Sequence, residues 1–473
     1  MRRGVIISVR ASMNASCDCG LPPAGDGSSS RELSRAEQLA TMRKVTWRLI
    51  PLLFCCYVIA YVDRINVGFA KLHLHEALGV DPKIYDSVFG LGAGIFFIGY
   101  FIFEVPSNLI LQRVGARFWI ARIMIVWGIV SMGFMFLKGT SMFYAMRFLL
   151  GAAEAGFFPG VLLYLTYWYP AKERAQTIAL FAVGGVAAGV VGSPISGALL
   201  GMDGLLGLKG WQWLFFIEAL PAILMGVVVW TVLPNRPQNA RWLTEREKQW
   251  VQSRLDAETK ASDGVAGHQL LAILKNPRLW MFCAMYFLMN VGGYGYEMWG
   301  PTIIKSLSGK GDTVVGLINA IPYFTAGVVM YVVGLNSDKT GERRWHIALS
   351  ATAASVGFLV AATVTNPYLA MAGLTIAFAG LKATIAPFWA LSTAFFTGTA
   401  AAGGIAFINS VGNLGGFFGP YLVGYIKDHS KDGNFASLLM LGGALVGMAV
   451  FALVSSKAGG TFNGKSLKKT AQG

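Results

Sequence analysis

Four charged side chains lie within two long apolar stretches of the sequence: Asp63 beside Arg64, and Arg147 seven residues before Glu154. A charge at the centre of a lipid bilayer costs about 2.5–3.5 kcal/mol, so such charges need a partner or a water-filled cavity. An arginine can bind a substrate carboxylate, and a carboxylic acid can carry a proton. We predict that Arg64 and Arg147 bind an anionic substrate and that Asp63 and Glu154 couple it to protons. The alternative is a permanent ion-pair cluster that fixes helix packing.

The position of a charge along its apolar stretch gives its depth, at about 1.5 Å per helical residue. The first three of these charges lie about 10 Å below one surface, and Glu154 lies about 10 Å deeper. The same arithmetic puts Glu297 about 10 Å and Lys382 about 20 Å from that surface, which argues against a direct ion pair. Lys382 either binds a second substrate carboxylate or extends toward the nearer surface. Glu297 is either a hydrogen-bonded gate residue, which we favour, or another proton site.

Two asparagines, Asn409 and Asn413, are spaced four residues apart in a glycine-rich apolar stretch. This spacing places both amides on one face of a helix, where they can bind a polar substrate. Hydrogen bonding between helices is the commoner use of such residues. We include both as candidate substrate ligands.

The sequence lacks the motifs of common enzymes: H-E-x-x-H, G-x-S-x-G and the phosphate-binding loop are absent. The five cysteines show neither zinc-site spacing nor a secreted disulfide pattern, with Cys17 and Cys19 a weak metal candidate. We therefore predict that the chain is not an enzyme and that it has no metal site and no cofactor, the proton being the coupling ion.

Composition places these charges in a membrane. Hydrophobic residues make up 55% of the 473 residues and charged residues only 13%, with a mean hydropathy of +0.54, so the chain needs lipid as its solvent. The formal charge of +15 does not indicate nucleic-acid binding, because the basic residues lie in short connections rather than on one domain.

Apolar stretches of about 20 residues predict transmembrane helices. We predict an all-α membrane protein with six helices in residues 46–233 and six in residues 277–456. The twelve predicted spans are 47–70, 84–111, 117–137, 141–165, 174–201, 211–233, 277–305, 313–335, 345–366, 368–393, 400–427 and 433–456.

The remaining segments are polar. Residues 1–45 are predicted to be a disordered cytoplasmic extension, unless Met13 or Met42 is the true start, and residues 457–473 a cytoplasmic tail. In the linker 234–276, Thr244 and Glu247 form a capping box that begins a short amphipathic helix reaching Arg254. This linker is otherwise a solvated tether. Most of the 39 lysines and arginines lie in the two tails and the even-numbered connections, which predicts that both termini are cytoplasmic.

A loop that contains basic residues and turns at a glycine follows both the second and the eighth predicted span. It can latch one side of the bundle by holding an aspartate against a helix N-terminus and arginines against carbonyl groups. In the first copy, Gln112 replaces the acidic residue. The predicted loop residues are Arg113, Gly115 and Arg117 in the first copy, and Gly334, Asp338, Lys339, Gly341, Arg343 and Arg344 in the second.

Several stretches of the sequence resemble the anion:cation symporter family of the major facilitator superfamily. They are 61–70, 104–109, 147–160, 387–391 and 412–416, and the resemblance covers residues 45–455. It implies two six-helix bundles and proton-driven uptake of organic anions such as tartrate, sugar acids and aromatic carboxylates. It also implies proton coupling by Asp63 and Glu154 and carboxylate binding by Arg64 and Arg147. Charges at positions 297 and 382 are not expected across the family, so the substrate cannot be taken from one relative.

The predicted function is proton-coupled uptake of a small organic anion by alternating access, in a monomer in the cell inner membrane. Antiport or export is the nearest alternative, since Gly192-Ser193-Pro194 partly matches an antiporter motif. A transceptor that binds its ligand without transporting it is a further alternative.

Overall fold

The computed structural model describes residues 33–262, 274–395 and 399–455, and the elements assigned within those ranges are helical. The predicted sites at Cys17 and Cys19, the first 32 residues of the predicted extension and the predicted tail lie outside these ranges. A single helical turn, His75–Leu78, lies between the first two long helices.

Sixteen helices are numbered here. The first half contains α1 (Arg35–Ala70), α2 (Tyr85–Val114), α3 (Ala116–Gly133), α4 (Gly139–Glu154), α5 (Phe157–Thr166), α6 (Ala171–Leu200) and α7 (Gly210–Val232). The linker contains α8 (Glu245–Ser262). The second half contains α9 (Pro277–Ser308), α10 (Asp312–Thr340), α11 (Arg344–Thr363), α12 (Pro367–Ala383), α13 (Ile385–Phe395), α14 (Thr399–Asn413), α15 (Gly415–His429) and α16 (Gly433–Val454).

Ten helical segments of the described chain are long and apolar enough to cross a membrane. They include α4 with α5 and α12 with α13, each pair forming one segment. Neither α9 nor the pair α14 and α15 is among the ten. The described fold is therefore helical with ten candidate membrane spans, and the count of twelve spans remains a prediction.

The first helix begins twelve residues before the predicted span at 47. Its N-terminus is a capping box: the Ser34 hydroxyl accepts from the Glu37 amide at 3.4 Å, and the Glu37 carboxylate accepts from the Ser34 amide at 2.7 Å. These bonds satisfy amide groups that a helix start leaves unpaired. Hydropathy misses this part because it is polar, so residues 35–45 are helical where the sequence predicts a disordered extension.

Three predicted spans are each built from two helices. The break between α4 and α5 falls at Gly156, whose φ of +84° is a left-handed conformation that favours glycine. The other breaks fall at Thr384, between α12 and α13, and at Leu414, between α14 and α15. In the fourth span of each half, the break lies within two residues of a charged residue: α4 ends at Glu154, and α12 ends one residue after Lys382.

The two halves approach each other closely at the end of the bundle where α1 ends. Helices α1 and α9, α2 and α15, and α6 and α10 pack across the interface. Glycines allow their backbones to touch: a Cβ at Gly68 would lie 2.8 Å from the Met298 carbonyl oxygen, and one at Gly197 would lie 2.6 Å from that of Asp312. Polar bonds reinforce this contact, including Asn319 to Ser193 at 2.9 Å. We call this end the closed end.

The linker helix α8 is anchored to the first half. Glu247 caps it as predicted, accepting from the Thr244 amide at 2.7 Å, and also pairs with Lys44 at 3.1 Å. Arg254 pairs with Glu173 at 2.7 Å. Burial alone raises the pKa of Glu247, but the hydrogen bonds from Thr244 and Lys44 outweigh it and leave the pKa lowered. The predicted helix is therefore present and longer than expected, and it is docked rather than a free tether.

Candidate functional site

A cavity of about 90 Å³ lies between the two halves, on the side of α1's charged residues that faces its polar start and away from the closed end. Its wall is mainly aromatic, with Arg64 as its charged residue. Both candidate asparagines are part of the wall. The lining residues are Tyr57, Tyr61, Arg64, Phe96, Phe97, Tyr100, Phe158, Tyr286, Tyr294, Asn409 and Asn413.

Arg64 forms a direct ion pair with Glu154 at this cavity. Arg64 Nη1, the nitrogen that does not pair with Glu154, donates to the hydroxyl of Tyr294 in the second half at 3.3 Å. The Arg64 guanidinium also lies over the rings of Phe96 and Tyr100. The Arg64 side chain is 15% exposed and that of Glu154 only 3%. The cation thus lies toward the accessible space and the carboxylate behind it.

Arg64 and Glu154 are in contact although their predicted depths differ by about 10 Å. The helical backbone continues past Ala70 in a 3₁₀ turn, Lys71–His73, which moves Arg64 deeper than a span ending at residue 70 would. The long arginine side chain then reaches the end of α4. Depth along a helix locates the backbone, and a guanidinium several ångströms away can lie at another level.

Asp63 faces away from Arg64, into the first half. Its carboxylate accepts from Trp127 at 2.9 Å, Ser131 at 2.7 Å and Asn66 at 3.1 Å. The residue is 3% exposed, and no ion pair involving it is found among the described residues. Three donors satisfy a buried carboxylate in place of a cation.

Arg147 is 1% exposed and binds backbone rather than lining the cavity. It donates to the carbonyl oxygens of Gly92 at 3.2 Å and Ala93 at 3.0 Å, and lies over the Phe96 ring at 4.9 Å. In this conformation it joins α4 to α2. Its role as a substrate ligand remains a prediction.

Glu297 and Lys382 form the direct ion pair that the depth arithmetic argued against. Lys382 Nζ lies 2.7 Å from Glu297 Oε1, so that prediction is wrong. Helix α9 continues to Ser308, three residues past the predicted span, which places Glu297 about 4.5 Å deeper than assumed. The flexible lysine stem covers the remaining distance.

Two tyrosines that sequence reasoning missed connect the halves. Tyr61 of α1 donates to Glu297 of α9 at 2.7 Å and accepts from Lys382 at 3.1 Å. Tyr294 of α9 accepts from Arg64 of α1. Each tyrosine precedes the charged residue of its own helix by three positions, so the repeated spacing Tyr-x-x-charge in the first helix of each half was the available signal.

The asparagines differ in their contacts. Asn409 donates to Glu104 of α2 at 3.1 Å, so in this conformation it joins the two halves by the interhelical bonding that is the commoner use of such a residue. Asn413 lines the cavity. The second carboxylate oxygen of Glu104 is buried without a hydrogen-bond partner.

The second copy of the predicted loop folds around Gly341, whose φ is +69°. Arg343 donates to Asp338 at 2.7 Å and to Ser337 at 2.9 Å. Asp338 therefore holds an arginine rather than a helix N-terminus. The Glu342 carboxylate instead caps the N-terminus of α11, accepting from the backbone amide of Arg344 at 3.0 Å and from that of the next residue.

The first copy of the loop turns at Gly115, with a φ of +91°. Arg117 donates through its side chain to the carbonyl of Trp230 and through its amide to Asn235 at 2.8 Å. An arginine held against a carbonyl is the predicted contact. The loop therefore holds the start of α3 against the end of α7.

Metal binding finds no support in the described ranges, where no group of three or more His, Cys, Asp or Glu side chains could hold an ion.

Comparisons with known proteins agree with this architecture. A sequence model of the Major Facilitator Superfamily matches residues 53–420. A protein of Agrobacterium vitis named "Putative tartrate transporter" is 48% identical over 425 residues, covering 90% of this chain and 96% of its own length. A protein of Acinetobacter baumannii named "Quinolone resistance transporter" is 39% identical over 428 residues, covering 89% and 97%.

Solved structures agree on the fold. The xylose transporter XylE of E. coli, in a partially occluded inward open conformation, superposes with a TM-score of 0.71 at 16% identity, covering 87% of this chain and 98% of its own.

Proposed function

The chain belongs to the Major Facilitator Superfamily and is a transporter of that type, and on this premise we propose that it takes up a small organic anion together with protons. The prediction that it is a multi-pass membrane transporter rather than an enzyme is confirmed by its relatives and its fold. The cargo proposed is a carboxylate: tartrate, a sugar acid or an aromatic acid.

The observation that carries this proposal is the Arg64–Glu154 ion pair at the cavity. An incoming carboxylate offers Arg64 the same ligand atoms as Glu154 does. When the substrate replaces Glu154, that carboxylate is left buried without its cation, a state that costs several kcal/mol unless it takes up a proton. Substrate binding and protonation therefore favour each other, which is the linkage that a symporter needs.

Asp63 is the second proposed proton site. It is buried next to Arg64 in sequence, and its carboxylate is held by Trp127, Ser131 and Asn66 instead of by a cation. Two of these partners, Ser131 and Asn66, can also accept hydrogen bonds. The site can thus serve Asp63 in both protonation states.

The arrangement of the two halves supports alternating access. Contacts between α1 and α9 and between α6 and α10 hold one end shut, and rocking of the halves about the cavity would separate them. We propose that twelve spans cross the cell inner membrane with both termini cytoplasmic, that the chain acts as a monomer, and that the two basic loops latch the cytoplasmic side.

The names of the relatives support a carboxylate cargo and leave export as a second candidate. The name of the Agrobacterium vitis relative supports tartrate or a similar acid as cargo. The name of the quinolone resistance relative supports export. A transceptor has no such support from the named relatives.

Uptake of radiolabelled tartrate into proteoliposomes tests the proposal. We expect an inward proton gradient to accelerate uptake, a protonophore to abolish the acceleration, and Arg64→Met to abolish uptake. Uptake that ignores the gradient would rule out symport, and acceleration by an outward gradient would favour antiport. Binding without uptake in either gradient would identify a transceptor.

A further inference from the structure

Two buried ion pairs occupy equivalent places in the two halves. In the first half, Arg64 on α1 pairs with Glu154 at the end of α4. In the second half, Glu297 on α9 pairs with Lys382 at the end of α12. Helices α1 and α9 are the first of each half, and α4 and α12 begin the fourth span of each half. The pairs are therefore related by the internal repeat, with cation and carboxylate exchanged.

The tyrosines extend this relation across the interface between the halves. Tyr61 bonds to the second-half pair, and Tyr294 bonds to the first-half pair. Both tyrosine side chains line the cavity. Each ion pair is thus connected to the cavity by a hydroxyl from the opposite half.

Exposure is also distributed alike in the two pairs. The cation is the more exposed partner in both: 15% for Arg64 against 3% for Glu154, and 10% for Lys382 against 1% for Glu297. A cation in front of its carboxylate can exchange that partner for an incoming anion. The tyrosine hydroxyl that already donates to Glu297 stays with it during such an exchange.

Resting on the proposed anion transport, we propose that the substrate is a small dicarboxylate held at both ends, one carboxylate on Arg64 and the other on Lys382. Tyr61 covers Lys382 in this conformation and has to turn aside, donating to Glu297 alone. Two cations in matching places fit two carboxylates, whereas a monocarboxylate leaves the Glu297–Lys382 pair unused.

The test compares tartrate with threonate, which has the same four-carbon hydroxylated chain with one carboxylate replaced by a hydroxymethyl group. Binding to purified protein is measured by calorimetry for wild type and for the double variant Lys382→Met with Glu297→Gln. The double change removes both charges, so no unpaired buried charge is left to unfold the protein. Lys310→Met, at an exposed position outside the bundle core, is the control.

We expect wild type to prefer tartrate, and we expect the double variant to lose roughly tenfold to hundredfold in tartrate affinity, the range of one charged hydrogen bond. Threonate affinity should be unchanged by the double variant, and Lys310→Met should resemble wild type. Equal affinity of wild type for both acids, or an unchanged tartrate preference in the double variant, would overturn the dicarboxylate inference and leave proton-coupled anion uptake standing. Absence of any proton-dependent anion uptake by wild type would overturn the proposed function as well.

Discussion

Replacement of Glu154 by glutamine tests whether substrate and carboxylate compete for Arg64. In the structure Glu154 is the ion-pair partner of that arginine, and Tyr294 supplies a further hydrogen bond. Glutamine keeps the shape of the side chain and an oxygen acceptor, but it removes the negative charge. Arg64 is then a partly buried cation without a counter-charge, and a bound anion can supply one.

The size of the effect follows from the burial of the pair. Removing one partner of a buried ion pair costs about 3–5 kcal/mol, and since Arg64 is 15% exposed we expect the lower end, about 3 kcal/mol. An anion that restores about half of this loss gains about 1.5 kcal/mol, which is roughly tenfold in affinity. Glu154→Gln should therefore melt at a lower temperature than wild type, bind the anion about tenfold more tightly, and lose acceleration of uptake by a proton gradient.

Glu218→Gln is the matched control. Glu218 is also a buried carboxylate, but it accepts a hydrogen bond from Ser196 at 2.7 Å instead of pairing with Arg64. Calorimetry with tartrate and proteoliposome uptake should therefore separate the two variants. Weaker tartrate binding by Glu154→Gln, with the control unchanged, would refute competition for Arg64 and favour an ion pair that only fixes helix packing.

Two further outcomes concern the closed end and the linker. Gly197→Leu should separate α6 from α10, because even a Cβ there would lie 2.6 Å from the Asp312 carbonyl oxygen. A cysteine introduced in place of the buried Asn319 should then react faster with an impermeant maleimide than the same cysteine without Gly197→Leu. An unchanged reaction rate would contradict the packing argument. The lowered pKa of Glu247 means that its bonds to Thr244 and Lys44 stabilise the fold above the unfolded-state pKa of about 4.3 and stop doing so as pH falls through the lower folded-state value. The difference in melting temperature between wild type and Glu247→Gln should thus be small at pH 7, reflecting under about 1 kcal/mol for a surface pair, and should vanish in acid; a difference that persists in acid would contradict this assignment.

Hydropathy predicts most of the helical fold because the bilayer requires long apolar segments. It misses the polar start of α1, where the capping box at Ser34 and Glu37 decides the helix boundary. It also misses the division of three spans into two helices. A glycine such as Gly156 is common within membrane helices, and the sequence does not indicate which glycine will take a positive φ.

The candidate site was harder to predict because its contacts lie between helices. Charge and depth identified Arg64 and Glu154, which meet, and also Glu297 and Lys382, which were expected to stay apart. Depth follows the backbone, whereas contact depends on the reach and direction of long side chains. The connection through Tyr61 needs the packing of α1 against α9, which is information from the tertiary structure.

The closed end has a consequence for the pathway between conformations. Its halves touch through backbone atoms at glycines such as Gly68 and Gly197, so much of their attraction there is dispersion. Dispersion is lost steeply: a gap of roughly 0.5–1 Å already forfeits a quarter to a half of each contact, and is too narrow for water to fill. A slightly opened interface thus has neither its contacts nor its hydration. Intermediate separations are the least stable, which favours an abrupt change between shut and open over gradual widening.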